Sequence, residues 1–525
     1  MGQYFRLCLL LASALLLLAV VQAERDQQHT RSASRRVSPA LKNEQETESS
    51  YWREKAQSTL AAKLEALESL QTRQAKNVIM FLGDGMSVHT VTATRNLLGD
   101  SSEKVYFEGF PYTGLAKTYC VNRQVADSAC TSTAYLGGVK ANYGTIGVNA
   151  NVPRYDCKAA YVAEDQVDSI AKWAQDAGKD AGFVTTARVT HASPAGMYAH
   201  IADRNWENDA EVSEGKCDPE ESIDIARQLV EWEVGKRLKV ILGGGKQNFL
   251  DRSMRDEVGH PGYRQDGRNL IKDWLADKQA QNASASYVWS RKGLTELDLD
   301  NTDYLLGLFA NGHLPYDGDR ARSPRHSHRA DPSLTELTEA ALRVLRRNEE
   351  GYFLFVEGAR IDMAHHSNYA RRSLEDTAEF ARAVQRAREM TDESDTLIVV
   401  TSDHSHVMTI NGYPLRTQEI TGLANKLADD ELPYNILSYA NGPGYDATYS
   451  KAEGRKRITQ QHTEHPLYVS PAMVPLNADT HGGDDVAVFA SGPYSQYFSG
   501  NYEQSNIPAL MARAAAIGPY ANVQP

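Results

Sequence analysis

The chain has 525 residues, of which 41% are hydrophobic and 24% are charged. These proportions are typical of a soluble globular protein, and the length allows one large α/β domain with insertions or two to three ordinary domains. The net charge of −12 argues against a general nucleic-acid-binding protein, which normally carries a basic patch. An anionic substrate remains compatible, because bound metal ions can outweigh the global charge locally.

The N-terminus, residues 1–23, has the pattern of a secretory signal. A positive charge precedes an apolar run from about Leu7 to Val21, and small residues follow near Ala23. The alternative is a membrane anchor, but this run is short for the ~20 residues that a spanning helix needs. We therefore predict a secreted, extracellular protein with a flexible polar lead-in over residues 24–50.

Apolar residues recur at helical spacing from Tyr51 to about Ala75. This spacing predicts an N-terminal helix over residues 51–75. The helix either packs on its own domain or forms an arm that contacts a partner subunit.

Short apolar runs alternate with helical stretches in the rest of the chain. The predicted strands are Asn77–Leu82, Ala181–Thr186, Lys239–Leu242, Gly351–Val356, Thr396–Thr401 and Asp485–Ala490. Helical periodicity marks Leu334–Arg347 and Leu374–Met390. Several strands are almost continuously apolar, as in parallel strands covered on both faces. The pattern predicts an α/β fold with a large, mostly parallel central sheet flanked by helices on both faces.

The segment at about residues 411–479 has a different composition. It is rich in Tyr, Pro, Gly and Asn and shows no long helical period. We predict that it is a subdomain inserted into a main domain that spans residues 76–525.

The cysteines of the secreted chain are few. Removal of the signal removes Cys8. Four cysteines then remain, which are Cys120, Cys130, Cys157 and Cys217. They allow three pairings, and an oxidising compartment favours two disulfides over a thiolate metal site. Asn282-Ala283-Ser284 is a candidate N-glycosylation sequon.

Acidic residues follow the ends of three predicted strands. Asp84 follows the first strand, Glu357 the fourth, and Asp403-His404 the fifth. A single carboxylate at such a position often only caps the next helix. Ligands of open α/β sheets gather at the carboxyl ends of the strands, so three ends with the same pattern predict one shared site.

Asp and His residues recur in pairs with metal-ligand chemistry. Asp362 and His366 are four residues apart, so on a helix they lie on one face and can bind one ion. Oxygen plus imidazole suits zinc, and Asp403-His404 offers the same pair of donors. A lone histidine is more often structural, but two such sets together with His481 predict a metal centre.

Ser128 is the candidate nucleophile. It follows Asp127 at the start of a run of small and hydroxyl residues that suits the first turn of a helix. A helix N-terminus presents free backbone N–H groups to an anion. The alternative is that Ser128 is only a helix cap.

The ordered set of these segments closely resembles the alkaline phosphatase family. The resemblance runs from about Asn77 to about Pro519. The matching segments are Phe81–Met86, Asp127–Ala129, His191–Gly196, Arg204–Trp206, Val356–Gly358, Arg360–Asp362, Asp403–His406 and Thr480–Gly483.

The resemblance implies two zinc ions and one magnesium ion. The residues implied for the first zinc are Asp362, His366 and His481. Those implied for the second zinc are Asp84, Asp403 and His404, with Ser128 as an exchangeable ligand. Those implied for magnesium are Asp84, Ser193 and Glu357, with His191 close by. Arg204 matches the arginine that holds phosphate in the family, and its planar fork suits two phosphate oxygens.

The implied activity is hydrolysis of phosphate monoesters through a phosphoserine at Ser128, with broad specificity and an alkaline optimum. The resemblance also implies a homodimer, in which residues 411–479 form a crown-like region and residues 51–75 an arm. A phosphodiesterase or sulfatase on the same fold is the rival enzyme. A catalytically inactive binding protein is the other alternative, but it would be expected to lack Ser128, Arg204 or a metal ligand.

Some residues depart from the family pattern. Ala310 replaces a glutamate that binds calcium in vertebrate members, so a calcium site is doubtful although Asp331 remains. Met363, beside Asp362, replaces a histidine or lysine, so zinc affinity or turnover is expected to differ.

The family also pairs Cys157 with Cys217, which leaves Cys120 and Cys130 for each other, two residues from Ser128. The chain ends in Ala521–Pro525 without a hydrophobic anchor signal, from which we expect a form that is not lipid-anchored.

Overall fold

The computed structural model describes residues 73–99, 101–102, 104–322, 331–463 and 465–522. The predicted signal and lead-in lie outside these residues, as does nearly all of the predicted helix over residues 51–75. Among the described residues, no helix has the length and apolar character needed to cross a membrane.

Seventeen strands are defined in the described residues. They are β1 (Asn77–Gly83), β2 (Tyr112–Lys117), β3 (Asp180–Arg188), β4 (Val240–Gly244), β5 (Ala285–Val288), β6 (Tyr304–Leu308), β7 (Tyr352–Gly358), β8 (Thr396–Thr401), β9 (Ser405–His406), β10 (Met408–Ile410), β11 (Leu437–Gly442), β12 (Tyr449–Ser450), β13 (Gly454–Arg455), β14 (Ala472–Pro475), β15 (His481–Gly482), β16 (Val486–Ser491) and β17 (Gly500–Glu503).

The α-helices of the same residues are α1 (Val88–Leu98), α2 (Ser128–Gly137), α3 (Ile170–Asp176), α4 (Ala192–Ala195), α5 (Asp209–Glu214), α6 (Ile225–Glu231), α7 (Glu233–Arg237), α8 (Leu270–Ala280), α9 (Arg291–Glu296), α10 (Asp317–Arg322), α11 (Leu334–Leu345), α12 (Arg360–His366), α13 (Ala370–Glu389), α14 (Gly444–Thr448), α15 (Gln460–Thr463) and α16 (Ile507–Ala515).

Ten strands form the central sheet in the order β17-β2-β16-β8-β1-β7-β3-β4-β6-β5. The seven strands from β8 to β5 run parallel, whereas β16 is antiparallel to both of its neighbours. The predicted α/β fold with a mostly parallel central sheet is therefore confirmed.

Strand β1 shows why the central strands read as continuous apolar runs. All seven of its residues are buried. Val78 and Met80 pack in one core together with α2 and α16, and Ile79 and Phe81 pack in a second core together with α11 and α13. Since alternate residues of a strand point to opposite faces, both faces of the sheet are covered by helices.

Strand β2 was missed because its pattern differs from that of the central strands. Only Gly114 and Ala116 are buried among its six residues, since it lies next to the edge of the sheet. The predicted strand Thr396–Thr401 agrees with β8, and no end of the other five predicted strands differs from the observed one by more than two residues.

In a separate three-stranded sheet, β10-β11-β14, the strands β11 and β14 lie within the predicted insertion and β10 directly precedes it. Its last strand carries exposed apolar side chains, with Met473 73% and Val474 44% exposed. The boundaries 411–479 and the name crown-like insertion remain predictions.

Candidate active site

The central position of β1 explains why the three acidic strand ends meet. β1 pairs in parallel with β7 on one side and with β8 on the other. Asp84, Glu357 and Asp403 therefore lie at one edge of the sheet, at the end of β7 or directly after β1 and β8. All three side chains belong to fully buried residues.

This concentration of buried acids creates an unbalanced negative charge. Burial, followed by the charges of Asp403, Asp362 and Glu357, raises the pKa of Asp84 well above its usual range. Five buried oxygens near this edge have no hydrogen-bond partner among the described residues: both carboxylate oxygens of Asp84, Oδ2 of Asp403, Oε1 of Glu357 and Oγ of Ser193. Buried polar atoms are rarely left unpaired, so these oxygens fit the role of ligands for hard or borderline divalent cations.

The side chains of the first implied metal set lie close together in the structure. Nε2 of His366 lies 3.2 Å from Nε2 of His481. Oδ1 of Asp362 lies 3.3 Å from the first of these nitrogens and 3.4 Å from the second. Three donor atoms at these distances face one small space, which is the arrangement that a tetrahedral zinc ion requires.

The hydrogen bonds of the Nδ1 atoms determine which tautomer His366 and His481 adopt. Nδ1 of His366 lies 2.6 Å from the carbonyl oxygen of Asp479. Nδ1 of His481 lies 2.7 Å from the carbonyl oxygen of Ala126. Because a carbonyl oxygen only accepts, each Nδ1 carries the hydrogen and each Nε2 keeps a free lone pair for a metal.

His406 also joins this group, and the sequence reasoning gave it no role. Its Nε2 lies 2.6 Å from Oδ1 of Asp362, and its Nδ1 lies 2.8 Å from Oδ2 of Asp479. Since both ring nitrogens are used by carboxylates, His406 orients Asp362 rather than adding a free lone pair. Its place in the segment Asp403–His406, which matches the family pattern, was the available signal.

The second set surrounds the candidate nucleophile. Nε2 of His404 lies 3.1 Å from Oδ2 of Asp403, 3.5 Å from Oδ1 of Asp84 and 3.2 Å from Oγ of Ser128. The structure therefore brings together all the residues predicted for the second zinc.

Ser128 is the first residue of α2, and every residue of this helix is buried. The Asp127 side chain caps the helix by accepting a hydrogen bond of 3.3 Å from the N–H of Cys130. An anion bound at Ser128 would thus meet the free N–H groups and the positive dipole end of a buried helix. Asp127, rather than Ser128, is the cap, so the capping alternative for Ser128 does not apply.

The magnesium candidates lie on the other side of Asp84. The side chains of Asp84, His191 and Glu357 place ligand atoms within 4.8 Å of one another. Ser193 lies on the short helix α4, just after His191. Burial, followed by the positive charge of Arg204, lowers the pKa of His191 well below its usual range, so this imidazole is neutral.

Arg204 reaches the same space from a loop. Its Nη1 donates to Oδ2 of Asp127 at 3.0 Å, and its Nη2 lies 3.3 Å from Nε2 of His191. Its side chain is 20% exposed, so the guanidinium lies at the accessible mouth of the site. A second arginine, Arg188, is bound instead by Glu207 and is not available to a ligand.

The doubtful calcium site lacks ligands that fit the ion. Ala310 has no side-chain oxygen, and its carbonyl accepts a hydrogen bond of 3.2 Å from the backbone N–H of Lys246. Nζ of Lys246 lies 2.7 Å from Oε2 of Glu257 and 3.5 Å from Oδ2 of Asp256. The ammonium group of Lys246 is already paired with both acids, so it competes with a calcium ion for their oxygens.

Both disulfides expected from the family resemblance are present. Cys120 is bonded to Cys130, and Cys157 is bonded to Cys217. The other two pairings of the four cysteines are therefore excluded.

Comparisons with known proteins show which family the chain belongs to. The family model described as alkaline phosphatase matches residues 75–517. The membrane-bound alkaline phosphatase of Bombyx mori is 47% identical over 95% of this chain and 91% of that protein. The alkaline phosphatase of Gadus morhua is 44% identical over 90% of this chain and 98% of that protein.

Among solved structures, the alkaline phosphatase of Thermus thermophilus matches with a TM-score of 0.59 at 22% identity. The match covers 87% of this chain and 93% of that chain, and at this identity it supports the fold alone. The family match and the two relatives establish the family as well as the fold, because they extend over most of the chain. The chain belongs to the alkaline phosphatase family.

Proposed function

We propose that this protein hydrolyses phosphate monoesters to an alcohol and inorganic phosphate through a covalent phosphoserine at Ser128. The observation that carries the proposal is the position of Ser128. Its Oγ lies at the N-terminus of a buried helix and 3.2 Å from Nε2 of His404. The guanidinium of Arg204 is held beside it through Asp127, which directly precedes Ser128.

Three cations would complete the site. Asp362, His366 and His481 would hold one zinc ion, and Asp84, Asp403 and His404 the other. Asp84, Ser193 and Glu357 would hold magnesium, with His191 close by. When bound, these ions would stabilise the serine alkoxide, the leaving alkoxide and the charge on the phosphoryl oxygens.

The protein residues position the phosphoryl group. The guanidinium of Arg204 would donate to two phosphoryl oxygens in its planar fork, while the first N–H groups of α2 face the same group. Asp127 keeps Arg204 in place, and both of its carboxylate oxygens already accept hydrogen bonds from the protein. Phosphoryl transfer depends mainly on such positioning and on electrostatic stabilisation.

Two displacements complete the reaction. In the first, Oγ of Ser128 gives up its proton and forms a bond to phosphorus as the bond from phosphorus to the ester oxygen breaks, and the ester oxygen takes up one proton and leaves as the alcohol. In the second, water attacks phosphorus as the Oγ–phosphorus bond breaks, one water proton returns to Oγ of Ser128, and inorganic phosphate is released. Because the named contacts involve only the phosphoryl group, the alcohol can vary and a broad specificity follows.

A phosphodiesterase is the rival activity. It must leave room for a second ester group on phosphorus, whereas in the proposed complex Arg204 and the metal-binding residues would contact the phosphoryl oxygens. Hydrolysis of an aryl phosphate monoester and of the matching diester by the same preparation would separate the two activities.

The decisive experiment measures aryl phosphate hydrolysis at alkaline pH before chelation, after chelation and after zinc and magnesium are restored. We expect loss and recovery of activity. Acid quenching during turnover followed by peptide mass spectrometry should find phosphate on Ser128. A fully active Ser128→Ala variant would refute the mechanism.

We further infer that the protein is extracellular and dimeric. Two disulfides support passage through an oxidising compartment. The exposed apolar side chains of Met473 and Val474, together with Tyr413, which is 78% exposed, support an interface at the crown-like insertion. Light scattering should give twice the subunit mass, and Met473→Asp should shift it toward the monomer.

Asn282 is proposed to carry an N-linked glycan in this compartment. It lies in an exposed turn after α8, where oligosaccharyltransferase can reach it. A glycosidase-induced mass shift that disappears in Asn282→Gln would establish the modification.

A further inference from the structure

The segment that leads to Ser128 is held by few apolar contacts. Within residues 119–126, only Cys120 and Ala126 are buried. Val121 and Val125 are 55% and 40% exposed. A segment that buries so little apolar surface opens easily unless covalent or polar anchors hold it.

The Cys120–Cys130 disulfide is the covalent anchor of this segment. It ties the segment to the first turn of α2, with the two Cα atoms 5.8 Å apart. Both cysteines are 2% exposed, and they pack with Ala126 and Ala141 in a small buried cluster. Asp127 lies inside the ring that the disulfide closes, and Sγ of Cys120 lies 4.0 Å from Oδ1 of Asp127.

Asp127 connects this ring to Arg204. Its Oδ1 accepts hydrogen bonds from the N–H of Cys130 at 3.3 Å and of Gly144 at 3.0 Å. Its Oδ2 accepts from Nη1 of Arg204 at 3.0 Å. The N–H of Arg204 in turn donates to the carbonyl of Gly144 at 2.9 Å. The position of the Asp127 carboxylate therefore determines the position of the Arg204 guanidinium.

We propose that the Cys120–Cys130 disulfide is a positioning element for phosphate binding, which acts by fixing Asp127 and, through it, Arg204. The inference rests on the proposed role of Arg204 as the phosphoryl-binding group. Ser128 has further anchors in the buried helix α2 and in His404. Loss of the disulfide is therefore expected to weaken phosphate binding more than it slows the chemical step.

The test compares two disulfide deletions, Cys120→Ala/Cys130→Ala and Cys157→Ala/Cys217→Ala. The second is the matched control, because no hydrogen bond or ion pair of Asp127, Ser128 or Arg204 in the described residues involves it. The readouts are kcat, KM for an aryl phosphate and Ki for inorganic phosphate, the reaction product, which undergoes no net hydrolysis.

For the first deletion we expect KM and Ki to rise about tenfold, the size of effect of one weakened charge-assisted hydrogen bond, with little change in kcat. The control should lower Tm and leave Ki unchanged. In an Arg204→Ala background, deletion of Cys120–Cys130 should raise Ki little further, because both changes act on the same group.

An unchanged Ki, a fall in kcat alone, or an equal rise in Ki in the control would overturn the proposal. If the deletion variant does not fold, the folded wild-type enzyme is treated with increasing dithiothreitol, and reduced cysteines are alkylated and mapped. The Ki for phosphate must then rise as the reduced fraction of Cys120–Cys130 rises. It must not follow the reduced fraction of Cys157–Cys217. Failure of the proposed function is distinguishable, since the wild-type enzyme would then hydrolyse no phosphate ester.

Discussion

His406 is bound to Asp362 through a hydrogen bond of 2.6 Å between Nε2 and Oδ1. Asp479 accepts from the opposite nitrogen, so the imidazole is clamped between two carboxylates. Burial disfavours the charged imidazole, but these bonds outweigh burial and raise the pKa of His406 to about 9. The clamp fixes the orientation of a carboxylate that is proposed to bind zinc.

Replacement of His406 by Gln should weaken zinc binding without removing a ligand. Loss of an outer partner typically costs about 10- to 100-fold in metal affinity. Zinc affinity measured against a competing chelator should fall by this amount, while kcat at saturating zinc changes less. His365→Gln is the control, because His365 is buried next to His366 but bonded to the hydroxyls of Ser373 and Tyr439. An equal loss of zinc affinity in the two variants would contradict the role given to His406.

The buried acids predict a large effect of metal on stability. Chelation should lower Tm of the wild-type enzyme by about 10 °C or more if the ions are tightly held, since ligands that bind only the folded state stabilise it. Asp84→Asn removes one of the mutually repelling carboxylates, so the Tm of this variant should respond less to chelation. Calorimetry with and without chelator measures both shifts, and a larger response in Asp84→Asn would contradict the account.

Arg204→Lys should weaken phosphate binding although the charge is retained. A lysine ammonium cannot donate in parallel to two phosphate oxygens, so Ki for inorganic phosphate is expected to rise about tenfold or more. Arg154→Lys is the matched control, because Arg154 pairs with Asp203 at 2.8 Å and is not among the residues placed at the site. Inhibition titrations of the two variants should differ clearly, and an unchanged Ki in Arg204→Lys would count against its role.

Glu211 predicts a pH dependence of stability away from the metal residues. Burial and then the charge of Glu207 raise the pKa of Glu211 to about 7, from an ordinary value of 4.5. The folded state therefore binds this proton more tightly than the unfolded state, and the free energy of unfolding falls as pH rises from 4.5 to 7.

Glu211→Gln should thus raise the free energy of unfolding by roughly 1–2 kcal/mol above pH 7, after allowance for solvent screening, and change it little near pH 4.5. Denaturant unfolding at both pH values measures the difference. Glu214→Gln, at an exposed position of the same helix, serves as the control and should show neither effect. If the free energy of unfolding rose by the same amount at both pH values, the titration of Glu211 would be ruled out as the cause.

Calcium should have no effect on the stability of this protein. Lys246 is already paired with Glu257 and Asp256 and competes with calcium for them, so a calcium-selective chelator is expected to leave Tm unchanged. Lys246→Met combined with Ala310→Glu removes the internal cation and restores a side-chain oxygen. Tm of this double variant should rise on addition of calcium, whereas a calcium response of the wild-type enzyme would contradict the interpretation.

The sequence alone predicted those site residues that lie at the end of an apolar strand or at helical spacing. Asp84, Glu357 and Asp403 follow apolar strands, and Asp362 and His366 have helical spacing. The structure brings them together because β1 lies between β7 and β8, an order that strand patterns do not encode. The metal content and the role of each ligand remain proposals.

Other contacts could not be predicted because they join residues that are distant in the chain and have no motif. The pair of Lys246 with Glu257 is one example, and the clamp of His406 by Asp479 is another. The strand β2 was missed since a strand near an edge is only half buried. Each of these features depends on tertiary packing, which one sequence does not reveal.

The central position of β1 also has a consequence for synthesis on the ribosome. Asp84 is made near the beginning of the domain, whereas His481 and the strand β16 are made close to its end. A nascent chain whose synthesis stops between Asp84 and His481 would contain the acidic residues of the site but would lack the imidazole of His481. Zinc capture should therefore discriminate finished chains from unfinished ones, which would leave the unfinished chains open to proteolysis.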